Sequence, residues 1–265
     1  MSSPLHPTLH RTLRRMPAAL IALLLLPLSI QAQEPRITAS LTPSYYSGTY
    51  GTNSRTDIFY LPLDLRTDIG AWTLKATIPY IRVHSHGAII AGGTVVGTTN
   101  GRPATHSGLG DIWLQGRYKI RLDDHGESIS PYLKLKLGTA SRAQGLGTGA
   151  NDYEYGGILH LRAGARLFPF AQLGYRVRGQ AAGFVLNNTL TYQAGTSYLV
   201  DAANIATVLY AGHASSQPGL QAASALIGAW NYRLRPDSEF QAYGLVGLST
   251  GSPDYGGGLS YMYHF

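Results

Sequence analysis

The stretch Asp111-Ile112-Trp113-Leu114-Gln115-Gly116-Arg117-Tyr118-Lys119-Ile120 places two chemistries on alternate residues. Ile112, Leu114, Tyr118 and Ile120 share one face; Asp111, Gln115, Arg117 and Lys119 share the other. Side chains of a β-strand alternate between faces with a period of two, whereas a helix would spread these charges around its axis. The stretch therefore reads as a strand with one apolar and one charged side. On either flank the pattern returns. Tyr132-Leu133-Lys134-Leu135-Lys136-Leu137 sets leucines against lysines, and Leu159, Leu161, Ala163 and Ala165 oppose His160, Arg162 and Arg166.

Twelve such stretches are predicted, at about 36–46, 55–65, 71–82, 110–121, 130–139, 153–166, 168–178, 188–200, 204–213, 224–234, 238–249 and 255–265. Weak patterns at 204–213 and 224–234 leave ten or fourteen open. Short turns at Arg66–Gly70, Asp123–Glu127, Arg166–Phe168, Asp201–Asn204 and Arg235–Ser238 alternate with longer connections at 47–54, 83–109, 140–152, 179–187, 214–223 and 250–254. Short turns at one end, long loops at the other and an even strand number are the layout of an outer-membrane barrel. Such a barrel turns its apolar face to lipid and its polar face to a lumen, the inverse of a soluble sandwich. Pro62, Pro79 and Pro169 lack a ladder donor and are expected near strand ends or bulges. Tyrosines, Trp72 and Trp230 near strand ends suit the boundary between water and hydrocarbon.

Tyr255, Gly257, Leu259, Tyr261, Tyr263 and Phe265 lie on one face of the last strand. Alternating aromatics ending in phenylalanine are similar to the signal by which bacterial outer-membrane barrels are recognised for assembly. Tyr261, Tyr263 and Phe265 are assigned that role. At the other end Met1–Ala32 reads as a cleaved signal peptide. Arg11, Arg14 and Arg15 precede an apolar run from Ala18 to Ile30, and Ala32 stands at the cut. That run, roughly 13 residues, is short of the ~20 a membrane helix needs. The expected division is a leader over 1–32 and a barrel over 33–265. The chain has 21 Lys and Arg against 14 Asp and Glu, and three of those arginines lie in the leader. The remaining positive excess is small and scattered, which argues against a nucleic-acid partner. With no cysteine, a lipoprotein anchor is excluded.

Ser107-Gly108-Leu109-Gly110-Asp111-Ile112-Trp113-Leu114-Gln115-Gly116-Arg117-Tyr118 resembles the "GLGD" strand of the outer-membrane transporters named for the MetA pathway of phenol degradation. Leu135-Lys136-Leu137-Gly138-Thr139 followed by Gly145-Leu146-Gly147-Thr148-Gly149-Ala150-Asn151-Asp152-Tyr153 is similar to that family's "LPTG…GTGS-D" strand and loop. The turn 232–238 and the closing 257–261 strand extend the likeness over about 107–265. Gly138 stands where the family tends to have proline, and Ala150-Asn151 where serine is usual. The resemblance implies a barrel passing small, often hydrophobic or aromatic, compounds.

The alternation assigns a pore-facing set. Its bases are Lys75, Arg117, Lys119, Lys134, Lys136, His160, Arg162, Arg176 and Arg178. Its acids and amides are Asp111, Glu154, Glu239, Gln115, Gln172, Gln193, Gln241 and Asn231. The bases cluster on the fourth to seventh strands. Two readings are open: a positive wall favouring anions or carboxylated aromatics, or ion pairs filling a narrow barrel. Loop 83–109 is either an inward constriction or an external loop. His84-x-His86 lacks a third ligand, and no metal or other cofactor is expected. Gly145-Leu146-Gly147-Thr148-Gly149 lacks the lysine and following helix of a phosphate loop and reads as a turn. Expected partners are outer-membrane lipid, the barrel-assembly machinery and small solutes. A passive transporter leads, with a mildly anion-preferring porin as the alternative. A lipid-modifying enzyme using His213, Ser215, Ser216 and Asn187-Asn188 is third, because nothing in their spacing brings base and nucleophile together.

Overall fold

A computed structural model describes residues 35–86, 88–91, 94–98, 102–180 and 185–265. The leader expected over Met1–Ala32 lies outside the described residues. The chain folds as a closed antiparallel barrel of twelve strands, the number predicted, and not ten or fourteen.

The first barrel strand is β1 (Arg36–Leu41) continued by β2 (Ser44–Gly48). Next come β3 (Thr56–Ile69) and β4 (Trp72–Ser85). A small hairpin, β5 (Ala88–Ala91) and β6 (Thr94–Thr98), precedes the fourth barrel strand, which is split into β7 (Ala104–Leu109), β8 (Ile112–Tyr118) and β9 (Ile120–Arg121). The remaining eight are β10 (Ser128–Leu137), β11 (Asp152–His160), β12 (Leu167–Val177), β13 (Thr189–Leu199), β14 (Asn204–His213), β15 (Ala223–Arg235), β16 (Ser238–Gly247) and β17 (Tyr255–His264). Closure is made where β17 pairs with β1 through Thr38 and His264, and with β2 through Ser44 and Gly258. A closed ladder leaves no strand edge, which lipid demands because it offers no hydrogen bonds to an orphan N–H or C=O.

Apolar side chains point outward and charges inward. Leu65, Leu74, Leu114, Leu173, Leu226 and Leu259 are exposed, whereas Lys136, Asp152 and Glu154 are at most 1% exposed. Tyr261 in β17 and Phe265 just after it are exposed on either side of Tyr263, and their rings pack against Phe240 at 5.0 Å and against Tyr263 at 4.8 Å respectively. Trp72 and Trp230 lie on the outer face near the short turns. Trp72 packs edge-on to Tyr118, and the Trp230 indole N–H donates to Asn204 at 3.0 Å.

Several expected boundaries move. The turn placed at Arg66–Gly70 contracts to Gly70–Ala71, and β3 runs straight through Arg66 and Asp68. The strand predicted over 153–166 stops at His160. Its apparent alternation continues into a turn, where Ala163 bridges to Leu167 around Gly164, so Arg162 lies in that turn. The turn expected at Arg166–Phe168 becomes this longer one, and Phe168 is already in β12.

Pro169 sits near the start of β12 as expected, but Pro62 and Pro79 do not sit at strand ends. They face each other in mid-strand across β3 and β4. Their backbone polar groups point away from each other, the Pro62 carbonyl to Thr42 N–H at 3.3 Å and the Pro79 carbonyl to Gly110 N–H at 2.8 Å. Thr42 falls in the break between β1 and β2, and Gly110 in the break between β7 and β8. Each missing donor therefore meets a ladder already interrupted, so neither proline orphans a well-formed rung. The second break is a bulge. Leu109 pairs with Tyr80 and Trp113 with Thr77, so residues 110–112 oppose only 78 and 79. A bulge bends the strand and re-aims a side chain; here the side chain is Asp111, which is turned inward and 5% exposed.

Candidate functional site

Lumen-facing residues form a row at one level of the wall. Lys75 on β4 is paired with Gln115 on β8, Gln115 with Lys134 on β10, Lys134 with Glu154 on β11, and Glu154 with Arg176 on β12. Neighbouring strands are about 4.8 Å apart, so these side chains reach one another. Glu154 Oε1 accepts from Lys134 Nζ at 3.1 Å and Tyr132 Oη at 2.9 Å, while its Oε2 accepts from Arg176 Nε at 2.8 Å and lies 2.7 Å from Arg176 Nη2. A forked arginine on a buried carboxylate is among the stronger polar contacts a protein makes. Lys75 is ion-paired to Asp64 at 3.1 Å, and the Thr77 hydroxyl also donates to Asp64.

Tyr132 lies flat against the wall because Gly156 and Gly174, partners across β11 and β12, leave room beneath its ring. A Cβ on Gly156 would stand 2.1 Å from the Leu173 carbonyl oxygen and 2.9 Å from the Tyr132 ring. The Tyr132 hydroxyl accepts from Gln172 at 3.0 Å, and Gln172 accepts from Gln193 at 2.7 Å.

Nearer the long-loop end a second network is sealed from solvent. Lys136, fully buried, lies 3.2 Å from Asp111 and 3.1 Å from Asp152, and donates to the Thr148 hydroxyl at 3.2 Å. Arg178 approaches Asp152 at 3.9 Å. Asp111 also accepts from Ala140 N–H at 3.0 Å, and Asp152 from Gly179 N–H. The cluster thereby ties the loop 138–151 to the wall. It also unites the two sequence patches that carried the family resemblance, since Asp111 comes from one and Lys136, Thr148 and Asp152 from the other.

The opposite wall, β13 to β17, is neutral. Asn231 accepts from Gln241 at 2.6 Å, Ser197 and Thr207 share a hydrogen bond at 2.8 Å, and Tyr46 and Tyr243 hydroxyls meet at 2.5 Å. Glu239 lies at the short-turn end within 3.8 Å of Arg233 and 3.7 Å of His264. Arg117 donates to Thr73 at 3.3 Å, and His160 packs its ring 6.4 Å from Phe170. Lys119 is exposed between β8 and β9, and Arg162 in its turn donates to the Gly164 and His125 carbonyls. Lys75, Lys134, Lys136, Arg176 and Arg178 interleave with Asp64, Asp111, Asp152 and Glu154, the second of the two readings open for the lumenal bases.

Above the row the lumen encloses a cavity of about 560 Å³. Lys75, Gln115, Lys134 and Arg176 line it on one side. Tyr46, Tyr50, Ile58, Tyr60, Ile81 and Trp113 line much of the rest. Trp113 and these tyrosines were not singled out from the sequence. The tyrosines were expected at the membrane boundary, yet Trp113 has the same parity as Asp111, Gln115 and Arg117, which was the available signal. Arg176 lies over the Trp113 ring at 5.1 Å.

The hairpin β5–β6 folds inward, the first of the two readings open for loop 83–109. Ile90 and Val95 are buried in one apolar cluster with Ile58, Ile81, Val83 and Leu146, and Ile90 N–H donates to the Gly145 carbonyl at 2.9 Å. Gly145 has φ of +70°, and a Cβ there would meet the Ala88 carbonyl at 2.7 Å, so the two loops touch backbone to backbone. Ile90 and Leu146 roof the cavity. Among the described residues no group of His, Cys, Asp and Glu is placed to hold a metal, and His84 instead bonds Thr105 at 2.9 Å. Ser215, considered as a nucleophile, turns its hydroxyl to the Gln217 and Leu220 carbonyls.

A closed twelve-stranded barrel with lipid-facing aromatics and a charged lumen is an outer-membrane β-barrel, and the chain belongs in the bacterial outer membrane. No protein-family model matches the sequence, and no curated protein matches it. Solved structures do match. The COG4313 outer-membrane channel from Pseudomonas putida F1 superposes with a TM-score of 0.69 at 14% identity, covering 90% of this chain and 99% of that one. The NanC porin gives 0.55 at 11% identity over 86% of this chain and 99% of its own. The KdgM porin, solved with oligogalacturonate, gives 0.51 at 9% identity over 87% and 99%. At these identities the likeness is one of fold.

Proposed function

We propose that the chain is a passive outer-membrane channel for small hydrophobic or aromatic compounds, akin to the transporters of the MetA pathway of phenol degradation. On this reading the leader over 1–32 is removed, Tyr261, Tyr263 and Phe265 present the barrel to its assembly machinery, and outer-membrane lipid surrounds it. Its role is passage rather than catalysis. The observation that carries the reading is the lumenal cavity walled by Tyr46, Tyr50, Tyr60 and Trp113. Its volume falls within the ~300–1,000 Å³ usual for small-ligand clefts. Aromatic walls hold an apolar solute that a water-filled eyelet would not. The meeting of the two resembling patches around Lys136 supports the kinship.

A mildly anion-preferring porin is the second reading, favoured by the part-exposed ammonium groups of Lys75 and Lys134 on the lumenal wall. Planar-bilayer conductance and uptake of labelled phenol or toluene by porin-depleted bacteria separate the two. Near-silent bilayers with faster aromatic uptake support the proposal. Large, ohmic, salt-dependent channels without that uptake overturn it.

A further inference from the structure

The cavity is two-sided in its chemistry. Tyr46, Tyr60 and Trp113 offer flat apolar surface, while Lys75 and Lys134 enter at one level from strands flanking β8. Their backbones are two strands, about 10 Å, apart, and the residue between them in the row is Gln115. An ammonium has three N–H donors. Each lysine is engaged by one carboxylate, Asp64 for Lys75 and Glu154 for Lys134, and both keep partial exposure to the cavity. Among the described residues the Gln115 side chain makes no hydrogen bond to the protein. Gln115 lines the cavity and stands between the two lysines in the ladder.

We infer that the cavity is a binding site for a small aromatic carboxylate. The ring lies among Tyr46, Tyr60 and Trp113, and the carboxylate accepts from Lys75, Lys134 and Gln115. A neutral arene satisfies the rings but leaves the three donors without a partner; an inorganic anion does the reverse. Arg176, whose fork is committed to Glu154 and whose plane covers Trp113, positions that wall and is not the ligand's contact. The inference rests on the proposed passage of small solutes but concerns which of them the lumen retains.

Trp113 supplies the readout. Of the three tryptophans, Trp72 and Trp230 are on the outer face and are replaced by phenylalanine, leaving one reporter in the cavity. Benzoate and benzamide, of nearly equal shape, are titrated against the purified barrel. Benzoate is expected to quench Trp113 saturably at a concentration at least about tenfold lower than benzamide, the scale of one charge-assisted hydrogen bond. Lys75→Met with Lys134→Met removes that difference. Gln115→Leu, which leaves both ion pairs intact, narrows it in a barrel still shifted on unheated gels. Equal quenching by the two ligands overturns the inference, as does a preference that survives the double substitution. Uptake of neutral toluene by cells is measured in parallel and reports only on the proposed function. Toluene uptake without benzoate preference leaves that reading standing and removes this one. Benzoate binding without uptake does the opposite.

Discussion

Lys136 Nζ lies 3.2 Å from Asp111 and 3.1 Å from Asp152, so one buried ammonium joins the bulge of the fourth barrel strand to the start of β11. Both acids also accept backbone N–H groups, from Ala140 and Gly179, and the Thr148 hydroxyl completes the lysine's shell. Removing the cation leaves two carboxylates facing each other without water.

Lys136→Met is accordingly expected to destabilise the barrel by about 3–5 kcal/mol, the range for breaking a buried ion pair from one side. Urea unfolding in lipid vesicles measures it. The loop 138–151 should also become a trypsin site at Arg142. A loss below about 1 kcal/mol would mean that the cluster does not hold the loop.

The Gly156 position tests the seat of Tyr132. Alanine there would place Cβ 2.1 Å from the Leu173 carbonyl oxygen, whereas at Gly157 it meets nothing within 4 Å. Gly156→Ala is expected to cost about 1–3 kcal/mol, as overpacked sites do. Gly157→Ala should cost nothing measurable. The contrast, read as the difference in unfolding midpoints, checks the packing account independently of any transport assay.

Ile90, in β5 of the inward hairpin, is 3% exposed. Ile90→Asp puts an unpaired charge into an apolar cluster, and the hairpin is expected to leave the lumen to hydrate it. Single-channel conductance should then rise above that of the parent protein. An unchanged conductance would show that the roof does not obstruct the path.

At the short-turn end, outside the membrane-spanning strands, the Asn204 side-chain amide and the backbone N–H of Ala203 hold the Asp201 carboxyl below its usual range. A depressed folded-state pKa gives stability that is present above the unfolded value of about 3.9 and is lost as pH falls through the folded one. Asp201→Ala should therefore lower the melting temperature slightly at pH 7, and the gap should close as the pH is taken below the folded value. A gap independent of pH would remove the carboxylate from the explanation.

Much of the architecture was open to a reader of the chain. Leu133, Leu135 and Leu137 against Lys134 and Lys136 fix both a strand and its inverted faces, because period-two alternation is a local property. The same rule overran at Leu161–Ala165, where alternation persists into a turn and nothing local marks the last ladder bond. It also underused Trp113 and Tyr132. Both share the parity of charged neighbours, but aromatic rings were expected to face lipid or its boundary, whereas Trp113 lines the lumenal cavity and Tyr132 is buried against the wall.

The choice between a positive wall and ion pairs stayed open for a different reason. Lys134 and Glu154 are 20 residues apart and Lys75 and Gln115 are 40, distances along the chain that carry no information about which residues share a level. The ladder's register sets that level, and the single-residue bulge at Gly110–Asp111 shifts it between the two halves of the fourth strand.

The amino-acid order thus determined that the chain crosses as strands and which side of each crossing meets lipid, since both follow from neighbours one and two residues away, while the closed ladder chose twelve crossings over ten or fourteen. Only the closed tertiary structure decided which base meets which acid, where the two prolines could be tolerated and where a cavity remains. Those depend on hydrogen-bond register between distant strands and on a loop returning into the lumen, and no local pattern encodes either.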